Sequence, residues 1–444
     1  MADVRPIPGI RYAPGTDLAT VTTPPYDVIS PSAQTQYYER SPENIIRLEL
    51  GRDERGDDEL SNRYTRAAVT FATWRLQGVL QQSEPALYLY EQRFQALGGE
   101  RRRLSLLARV RLEPWEAGVI LPHERTLSKP KSDRLKLMRA TAATLSPIMS
   151  LYDDPQGALA KALAKPLKRQ PEVTFTDEAG EEHRLWVSRD AALIERVATF
   201  FRDRQIYIAD GHHRYETGLA YREEMREARR ELEPDDPANF TLMALSAIED
   251  PGLVVLPTHR IVRGVAQERL AEFTRDLDGH FTSETLGAPG GLGEVDVREV
   301  THALAEAGSA GPAFALIAPD GVRLLRLTDA GRTAMEARTG EHVGSSDAWR
   351  ALDVAVLHEL VLAQGLSVSE QAIRAGEHVT YTRDAQAALD AVRSGADGAQ
   401  LALLLNPTPP SGIRDVARAG DRMPQKSTYF YPKLITGLLI NPLW

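Results

Sequence analysis

Residues 206–217 pass from β-forming to helix-forming residues within a single turn, which constrains the fold more than any other stretch of the chain. They read Ile-Tyr-Ile-Ala-Asp-Gly-His-His-Arg-Tyr-Glu-Thr, and a segment rich in alanine, glutamate and arginine follows as far as Glu233. An apolar run that stops at Asp-Gly and continues into such a segment predicts a strand, a tight turn and a helix. We therefore expect an α/β fold around this stretch.

The predicted turn carries the residues of an anion site. At a helix N-terminus the first backbone N–H groups lack intrahelical partners, and the macrodipole places about half a positive charge there. Gly211 lets a phosphate approach the backbone, and His212, His213 and Arg214 add donors. The alternative is a plain turn with Asp210 as N-cap and the histidines as surface groups. Three clustered donors favour the phosphate site.

The composition limits the classes of protein to which the chain can belong. Its 444 residues suffice for two or three domains, and its net charge of -9 argues against a nucleic-acid-binding surface. The absence of cysteine excludes disulfides, thiolate catalysis and cysteine zinc sites, and it fits a cytoplasmic location. The first residues lack the apolar core of a signal peptide, and no run approaches the length of a membrane span.

Hydrophobic periodicity and capping residues predict several further elements. Ser30 and Pro31 are expected to start a helix, and the alternation over residues 44–50 predicts a strand. A helix is expected over 57–80, with Leu60 on its core face. The other expected elements are hairpins over 86–112 and 172–187 and a helix over 191–202.

A polar loop after a short strand carries a second set of chemical groups. Residues 122–135 read as this loop and the start of a helix, and the loop contains Glu124 and Lys129. A carboxylate and an ammonium on one loop can serve as a base and a phosphate ligand. They can equally form a surface ion pair of little energetic value.

A third cluster lies near the C-terminus. Lys426, Ser427 and Thr428 offer an ammonium and two hydroxyls for phosphate contact, but the upstream glycines of a P-loop are missing. A histidine just past a strand is also in a place where α/β sites occur, although a structural role is the simpler interpretation. This histidine is His259, and the other candidates for substrate contact are Asp27 and Arg47.

Four motifs in order give the chain a family resemblance. They are Pro-Pro-Tyr-Asp-Val-Ile-Ser from Pro24, Leu-Pro-His-Glu from Leu121, Ile-Ala-Asp-Gly-His-His-Arg-Tyr from Ile208, and Gln-Lys-Ser-Thr-Tyr-Phe-Tyr-Pro-Lys from Gln425. Through them the chain resembles, nearly end to end, the bacterial family catalogued as domain of unknown function 1015. That family label implies no reaction.

Three of the motifs also resemble those of the free-serine kinases of the ParB/sulfiredoxin-like superfamily. Those enzymes carry Pro-His-Glu, Asp-Gly-His-His-Arg after a strand, and a late Pro-Lys-Thr-Thr in the same order. The resemblance implies that Glu124 is the general base on the acceptor hydroxyl. We assign His123 of the same motif and Lys129 of the same loop as further catalytic candidates. The resemblance further implies that residues 210–214 hold the nucleotide phosphates and that residues 426–428 close the site. The segment between the first two motifs is longer here and includes an extra hairpin.

The predicted fold is mixed α/β (α+β) in two lobes. Residues 1–286 would form a ParB/sulfiredoxin-like catalytic lobe with insertions, and residues 294–444 would form a C-terminal α/β lobe that contributes the Lys-Ser-Thr segment. The boundary is expected in the glycine-rich stretch 288–293. A homodimer is the base-rate expectation.

The leading hypothesis is phosphoryl transfer from ATP or ADP to a small hydroxyl-bearing metabolite, serine or a relative. This reaction requires positioning and charge neutralisation, which a helix N-terminus, Arg214, Lys129 and Lys426 can supply while Glu124 accepts the proton. Mg²⁺ is expected with the nucleotide, and Asp210 is the carboxylate assigned to it. The expected partners are a nucleotide and a small substrate, with no nucleic acid and no membrane.

Two alternatives remain open at this point. A metal-dependent hydrolase would use Asp210, His212, His213 and either His123 or His259 as ligands. Adjacent histidines at a helix start point in different directions, however, and the usual zinc spacing is absent. A ParB-like nucleotide-binding switch would act on DNA or a protein partner, and the acidic balance and the lack of a recognisable helix-turn-helix weigh against DNA.

Overall fold

The computed structural model describes residues 1–126, 128–287, 291–340 and 343–444 and has a mixed α/β fold, as predicted. Contacts between residues divide the chain into two compact units. The first comprises Met1–Pro122, Thr126–Val254 and Phe430–Trp444, and the second comprises His123–Arg125 and Val255–Tyr429. The lobes 1–286 and 294–444 stay a prediction, and residues 288–290 of their expected boundary lie outside the described residues.

The helices are mostly short. None in the described ranges combines the length and the apolar character that crossing a membrane requires. In chain order they are α1 (Leu18–Val21), α2 (Pro31–Arg40), α3 (Ile46–Glu49), α4 (Arg63–Leu76), α5 (Ser128–Thr141), α6 (Ala158–Leu167), α7 (Ala191–Arg202), α8 (His212–Arg229), α9 (Gln267–Asp276), α10 (Val297–Gly308), α11 (Asp329–Glu336), α12 (Asp347–Arg350), α13 (Asp353–Val356) with a π-helix (Leu357–Gly365) directly after it, α14 (Glu370–Ala375), α15 (Ala385–Ser394) and α16 (Pro410–Arg418).

The strands alternate with these helices along the chain. In order they are β1 (Val4–Arg5), β2 (Ile10–Tyr12), β3 (Leu80–Gln82), β4 (Leu87–Ala96), β5 (Gly99–Arg111), β6 (Ile120–Leu121), β7 (Ala143–Thr144), β8 (Ile148–Tyr152), β9 (Val173–Thr176), β10 (Glu182–Ser188), β11 (Ile206–Asp210), β12 (Phe240–Ala247), β13 (Val254–Val255), β14 (His259–Arg263), β15 (Phe281–Leu286), β16 (Ala313–Ala318), β17 (Gly321–Leu327), β18 (Val379–Thr382), β19 (Ala399–Leu405), β20 (Phe430–Tyr431) and β21 (Asn441–Pro442).

The first unit is built on a mixed sheet in the order β6-β11-β8-β12-β5-β4-β10-β9, with β1 pairing with β5. Strand β11 is parallel to β6 and antiparallel to β8, while β12 is parallel to β8 and antiparallel to β5. A central strand paired on both sides and buried on both faces needs a nearly continuous apolar run. Strand β11 has such an apolar run, and the run ends at Asp210, where the polar turn begins.

Helix α7 shows why its sequence folds locally as it does. The side chain of Asp190 accepts hydrogen bonds from two backbone N–H groups of its first turn. Apolar side chains at helical spacing then bury one face. Phe200 and Phe201 pack edge-on against Tyr152 of the sheet, with ring centroids 5.6 and 5.1 Å from the Tyr152 ring.

The second unit contains an antiparallel sheet in the order β15-β17-β16-β19-β14-β18. Buried residues of α10 and α15 share one hydrophobic core with strands β16, β17 and β19. Strand β14 lies inside this sheet and carries both His259 and Arg260, which are buried. His259 therefore follows strand β13, as the sequence predicted, and also begins strand β14.

Several expected elements are confirmed. Ser30 is the N-cap of α2, and its hydroxyl accepts a hydrogen bond from Ala33 N at 3.2 Å, with Pro31 as the first helical residue. Helix α7 has the expected bounds. The hairpins β4–β5 and β9–β10 lie where the alternating patterns placed them.

The expected strand over residues 44–50 is wrong, because this segment contains the short helix α3. The side chain of Asn44 accepts a hydrogen bond from Ile46 N at 2.9 Å and donates one to Thr20 O at 2.7 Å. This local capping and the complete burial of Ile45 and Leu48 on one helical turn override the strand preference of the β-branched residues.

The start of α4 and one of its core residues also differ from expectation. The helix begins at Arg63, because Asn62 and Thr65 form a capping box that fixes its first turn. Leu60 therefore lies before the helix and is 88% exposed, so its assignment to the core is wrong. Phe71 and Trp74, further along the same helix, are buried as expected.

Candidate functional site

The turn between β11 and α8 has the predicted strand-turn-helix geometry. Strand β11 ends at Asp210, Gly211 is the N-cap with φ 102°, and α8 begins at His212. Only glycine adopts that φ without strain. Gly211 also has no side chain to cap the helix, and the first turn of α8 contains no acidic residue. An 18-residue helix with this N-terminus retains its attraction for an anion.

Arg214 packs directly over Gly211. A Cβ atom at position 211 would lie 2.9–3.0 Å from the Arg214 guanidinium group, so a side chain there would require Arg214 to shift. The guanidinium donates a hydrogen bond to Pro147 O, and its Nη2 lies 3.7 Å from Asp210 Oδ2. The side chain of Arg214 is 9% exposed. It therefore stabilises the turn from within.

Asp210 is paired with a lysine that sequence reasoning gave no role. Lys433 Nζ lies 3.1 Å from Asp210 Oδ2. Burial alone would raise the pKa of Asp210, but Lys433 and Arg214 hold this pKa well below its usual range. The carboxyl group is thus ionised and neutralised by its neighbours. The only sequence feature that pointed to Lys433 was its position as the last residue of the motif that begins at Gln425.

This pairing predicts a pH dependence of stability. A folded-state pKa below the unfolded value near 3.9 stabilises the protein above that value, and the stabilisation is lost as the pH falls through the folded pKa. We expect the stability gap between wild type and Asp210→Asn to be largest near neutral pH and to narrow below about pH 4. Melting temperatures measured from pH 7 to pH 2.5 test this. Asp203→Asn, at an exposed position, should show no such narrowing, and a constant gap for Asp210→Asn would contradict the pairing.

The histidines lie beside the turn that contains Asp27. His212 is buried and His213 is half-buried. Burial lowers the pKa of His213, while nearby Glu216 and Asp27 oppose this shift and Lys131 and Arg214 reinforce it. His213 is therefore neutral at pH 7, and it can still donate one ring N–H. The region of Asp27 is thus electrostatically coupled to the start of α8.

Tyr26 belongs to the same short turn as Asp27 and is anchored by a cation. The Arg134 guanidinium carbon lies 4.1 Å from the centroid of the Tyr26 ring. Burial raises the pKa of Tyr26 to about 12 even though Arg214 and Arg134 oppose the shift. Tyr26 therefore stays neutral at pH 7. The motif Pro-Pro-Tyr-Asp thus lies against helices α5 and α8, a placement the sequence did not reveal.

Thr126 and Lys131 contact helix α8 through one carboxylate. Glu216 Oε2 accepts a hydrogen bond from Thr126 Oγ1 at 2.6 Å and lies 2.7 Å from Lys131 Nζ. Lys131 therefore balances the negative charge of Glu216, which lies one helical turn beyond the N-terminus of α8. Lys129 lies on α5, but its side chain is outside the described part of the structure, so its assignment as a catalytic residue stays a prediction.

The second unit contains a separate cluster around His123. This residue is fully buried, and its Nε2 lies 3.3 Å from Thr428 Oγ1 and 3.9 Å from Glu124 Oε1. Its backbone oxygen accepts a hydrogen bond from Met423 N at 2.7 Å. The Glu124 side chain is 31% exposed, so a small solute can reach it. The structure thus brings the Pro-His-Glu motif together with the end of the Lys-Ser-Thr motif.

The three residues of the Lys-Ser-Thr segment differ in their surroundings. Lys426 is exposed with φ 57°, and its backbone oxygen accepts a hydrogen bond from Arg260 Nη2 at 3.2 Å. Ser427 is buried, and its hydroxyl donates to Pro424 O. The segment is therefore held by backbone contacts that leave the Lys426 side chain toward solvent.

Two of the candidate substrate residues have structural contacts. Arg47 donates a hydrogen bond to Tyr38 O at 2.9 Å, and its guanidinium carbon lies 4.6 Å from the Tyr38 ring centroid. His259 Nδ1 accepts a hydrogen bond from Leu405 N at 3.2 Å, and burial lowers the pKa of His259 to about 4. Substrate contact by either residue stays a prediction.

Metal-ligand clusters bear on the hydrolase alternative. Within the described ranges, only Asp177, Glu181 and His183 form a group of three or more such side chains with ligand atoms within 4.8 Å of one another. Asp210, His212 and His213 do not form one. The geometry of α8 therefore does not favour a histidine-rich metal centre at its N-terminus.

A family model described as "Protein of unknown function (DUF1015)" matches residues 4–355 of the chain. The chain belongs to this family. The matched region includes the Pro-His-Glu loop and the β11–α8 turn and ends before Lys426 and Lys433. No curated protein has a sequence that matches the chain.

Several solved structures resemble the family member described here. A conserved hypothetical protein from Pyrococcus furiosus has a TM-score of 0.34 at 10% identity, over 74% of this chain and 92% of that one. A free serine kinase in complex with AMP has a TM-score of 0.34 at 10% identity, over 73% and 86%. SbnI with C-terminal truncation from Staphylococcus aureus has a TM-score of 0.32 at 11% identity, over 76% and 87%. With scores this low, we derive function from the residues of this chain.

Proposed function

We propose that this protein is a nucleotide-dependent phosphotransferase that acts on a small hydroxyl-bearing metabolite, serine or a close relative. The observation that carries the proposal is the β11–α8 turn, where a long helix begins at an N-cap glycine and has no side-chain cap. Backbone N–H groups at such a helix start are good ligands for nucleotide phosphates. The ordered motifs around Glu124, Asp210 and Lys426 support the same class of reaction.

The charges around the turn are compatible with a bound phosphate. An isolated carboxylate at position 210 would repel an anion, but Asp210 is paired with Lys433 and Arg214. His213 can donate a hydrogen bond in its neutral form. Phosphoryl transfer depends mostly on positioning and charge neutralisation, and these are the contributions that such a turn makes.

The turn offers Mg²⁺ one carboxylate, that of Asp210, which would exchange Lys433 for the ion. In nucleotide sites this cation takes one or two protein carboxylates and completes its shell with water and phosphate oxygens. Asp210, held ionised, is the residue that would hold it. When bound with the nucleotide, Mg²⁺ would supply neutralisation of phosphate charge.

Glu124 is the proposed general base. In the proposed step, a bond forms between the acceptor oxygen and the terminal phosphorus of ATP or ADP. The bond from that phosphorus to the remaining nucleotide breaks, and the acceptor proton passes to the Glu124 carboxylate. The side chain is partly exposed and next to buried His123, which gives it access to a solute and a fixed neighbour.

Gly211→Ala tests the phosphate site directly. A side chain at φ 102° is strained by roughly 1–2 kcal/mol, and its Cβ would clash with Arg214. We expect the turn to relax and the N–H groups to turn away, with a loss of nucleotide affinity of about tenfold or more. Titration calorimetry with ATP and ADP, at a temperature where circular dichroism shows both proteins folded, measures this.

The matched control is Gly98→Ala in the β4–β5 hairpin. Gly98 also has positive φ, at 77°, but a Cβ there would have no neighbouring atom within 4 Å. The Gly98→Ala substitution therefore imposes comparable backbone strain without contacting the β11–α8 turn. Equal affinity in wild type and Gly211→Ala would mean that phosphates bind elsewhere.

A further inference from the structure

The hairpin β9–β10 brings three potential metal ligands together. Asp177 and Glu181 lie in the hairpin loop, and His183 lies on β10. One ligand atom from each lies within 4.8 Å of those of the other two. His183 is fully buried and Glu181 is 7% exposed. We call these three residues the hairpin triad.

The ring of His183 is fixed in one orientation. Its Nδ1 lies 2.7 Å from the Tyr90 hydroxyl, and the ring stacks on Phe175 and Tyr90 with centroid distances of 4.8 and 5.9 Å. Its Nε2 is buried without a hydrogen-bond partner. Histidine ligands of metals show this pattern, because the second ring nitrogen is held by a neighbour while the first points at the ion.

Asp177 is held so that one oxygen faces this unpartnered nitrogen. Its Oδ1 accepts hydrogen bonds from Ala179 N and Glu181 N, both at 2.9 Å. Its Oδ2 lies 3.2 Å from His183 Nε2, outside hydrogen-bonding geometry. Two donor atoms bound to a tetrahedral Zn²⁺ at about 2.0–2.1 Å lie roughly 3.3 Å apart. The observed 3.2 Å matches this separation, as it also matches that of an ion pair.

A simple ion pair accounts for less of this geometry. A protonated His183 could interact with Asp177, and Tyr431 hydrogen-bonds to Glu181, but two carboxylates would then share one imidazolium in a partly buried pocket. The nearby Arg103 is already engaged by Gln92 and by the backbone oxygen of Pro432. A divalent cation would neutralise both carboxylates and use the free position of His183 at once.

We propose that Asp177, Glu181 and His183 form a binding site for a divalent transition-metal ion, with Zn²⁺ as the expected occupant and water in the remaining position. A ligand set of imidazole and carboxylates suits Zn²⁺, which such sites bind more tightly than Mn²⁺ or Fe²⁺. The ion would fasten the loop to β10 and, through Tyr90, to β4. The edge hairpin of the large sheet would then be stabilised by metal.

The test uses the full-length protein stripped of metal with a chelator. After equilibrium dialysis against Zn²⁺, elemental analysis is expected to give one equivalent per chain, and Co²⁺ in its place is expected to show the d–d absorption of a tetrahedral site. The melting temperature should rise on adding Zn²⁺. Failure to take up a stoichiometric ion would overturn the proposal.

Matched variants locate the ion. Asp177→Asn keeps the acceptor for the two loop N–H groups but removes the charge, and Glu181→Gln is the equivalent change at the second carboxylate. Each is expected to weaken Zn²⁺ binding at least about tenfold. His302→Gln removes a histidine that is 76% exposed on α10 and should leave binding unchanged. Undiminished binding in both carboxylate variants would place any bound ion elsewhere and refute the site.

Discussion

Glu124→Gln is expected to abolish phosphoryl transfer while nucleotide affinity stays unchanged. Glutamine keeps the size of the side chain but cannot accept the acceptor proton, and removal of a general base typically costs about 10²–10⁴ in rate. The turn proposed to bind phosphate is built from other residues, so nucleotide affinity should be unaffected. Turnover is measured by the release of ADP or AMP, and affinity by titration calorimetry.

Glu377→Gln is the control for this substitution. Glu377 is an exposed glutamate of the same unit, distant in sequence from every motif, and the same chemical change there should leave both rate and affinity as in wild type. Full turnover by Glu124→Gln would show that another group accepts the proton. Loss of nucleotide binding in Glu124→Gln would show instead that Glu124 contributes to the phosphate site.

Arg103→Ala is expected to cause a large loss of stability, about 3 kcal/mol or more. The side chain is fully buried and donates hydrogen bonds to Gln92 Oε1 and to Pro432 O, the latter at 2.7 Å. Burial lowers the pKa of Arg103 to about 10, so the guanidinium is still charged at pH 7. Its removal relieves some cost of burying charge, but it leaves a cavity and two buried acceptors without a donor.

The neighbouring residue provides the control. Arg102 lies on the same strand with its side chain 62% exposed, and Arg102→Ala should change the free energy of unfolding by no more than about 0.5 kcal/mol. Urea denaturation followed by circular dichroism measures both changes. Because Arg103 holds the backbone next to Lys433, its loss should also weaken nucleotide binding. Equal stability of the two variants would contradict the structural role of Arg103.

Local sequence signals predicted much of the fold. The β11–α8 turn, helix α7 and the two hairpins are specified by residues that are adjacent in the chain, through caps, glycines and apolar spacing. Helix α3 was missed because strand propensity and apolar alternation cannot reveal that Asn44 caps a buried helical turn. Periodicity likewise suggested that α4 starts before Asn62, whereas the capping box of Asn62 and Thr65 starts the helix at Arg63.

The contacts that complete the candidate site could not be predicted from sequence. Lys433 and Asp210 are 223 residues apart, and no local pattern indicates that they pair. The placement of Asp27 near α8 likewise depends on how distant segments pack. The sequence therefore predicted the geometry of the β11–α8 turn, while the structure identified the groups that neutralise Asp210 and a second cluster of potential ligands.

Phosphorus NMR on the purified protein with Mg²⁺ tests the proposed reaction most directly. ATP and ADP are each offered with serine, threonine, homoserine and simple polyols. We expect a new phosphomonoester resonance with one acceptor, matched by loss of the terminal phosphate of the nucleotide, and we expect neither with Glu124→Gln. A nucleotide that binds but is never consumed with any acceptor would contradict the phosphotransferase and favour a nucleotide-dependent switch.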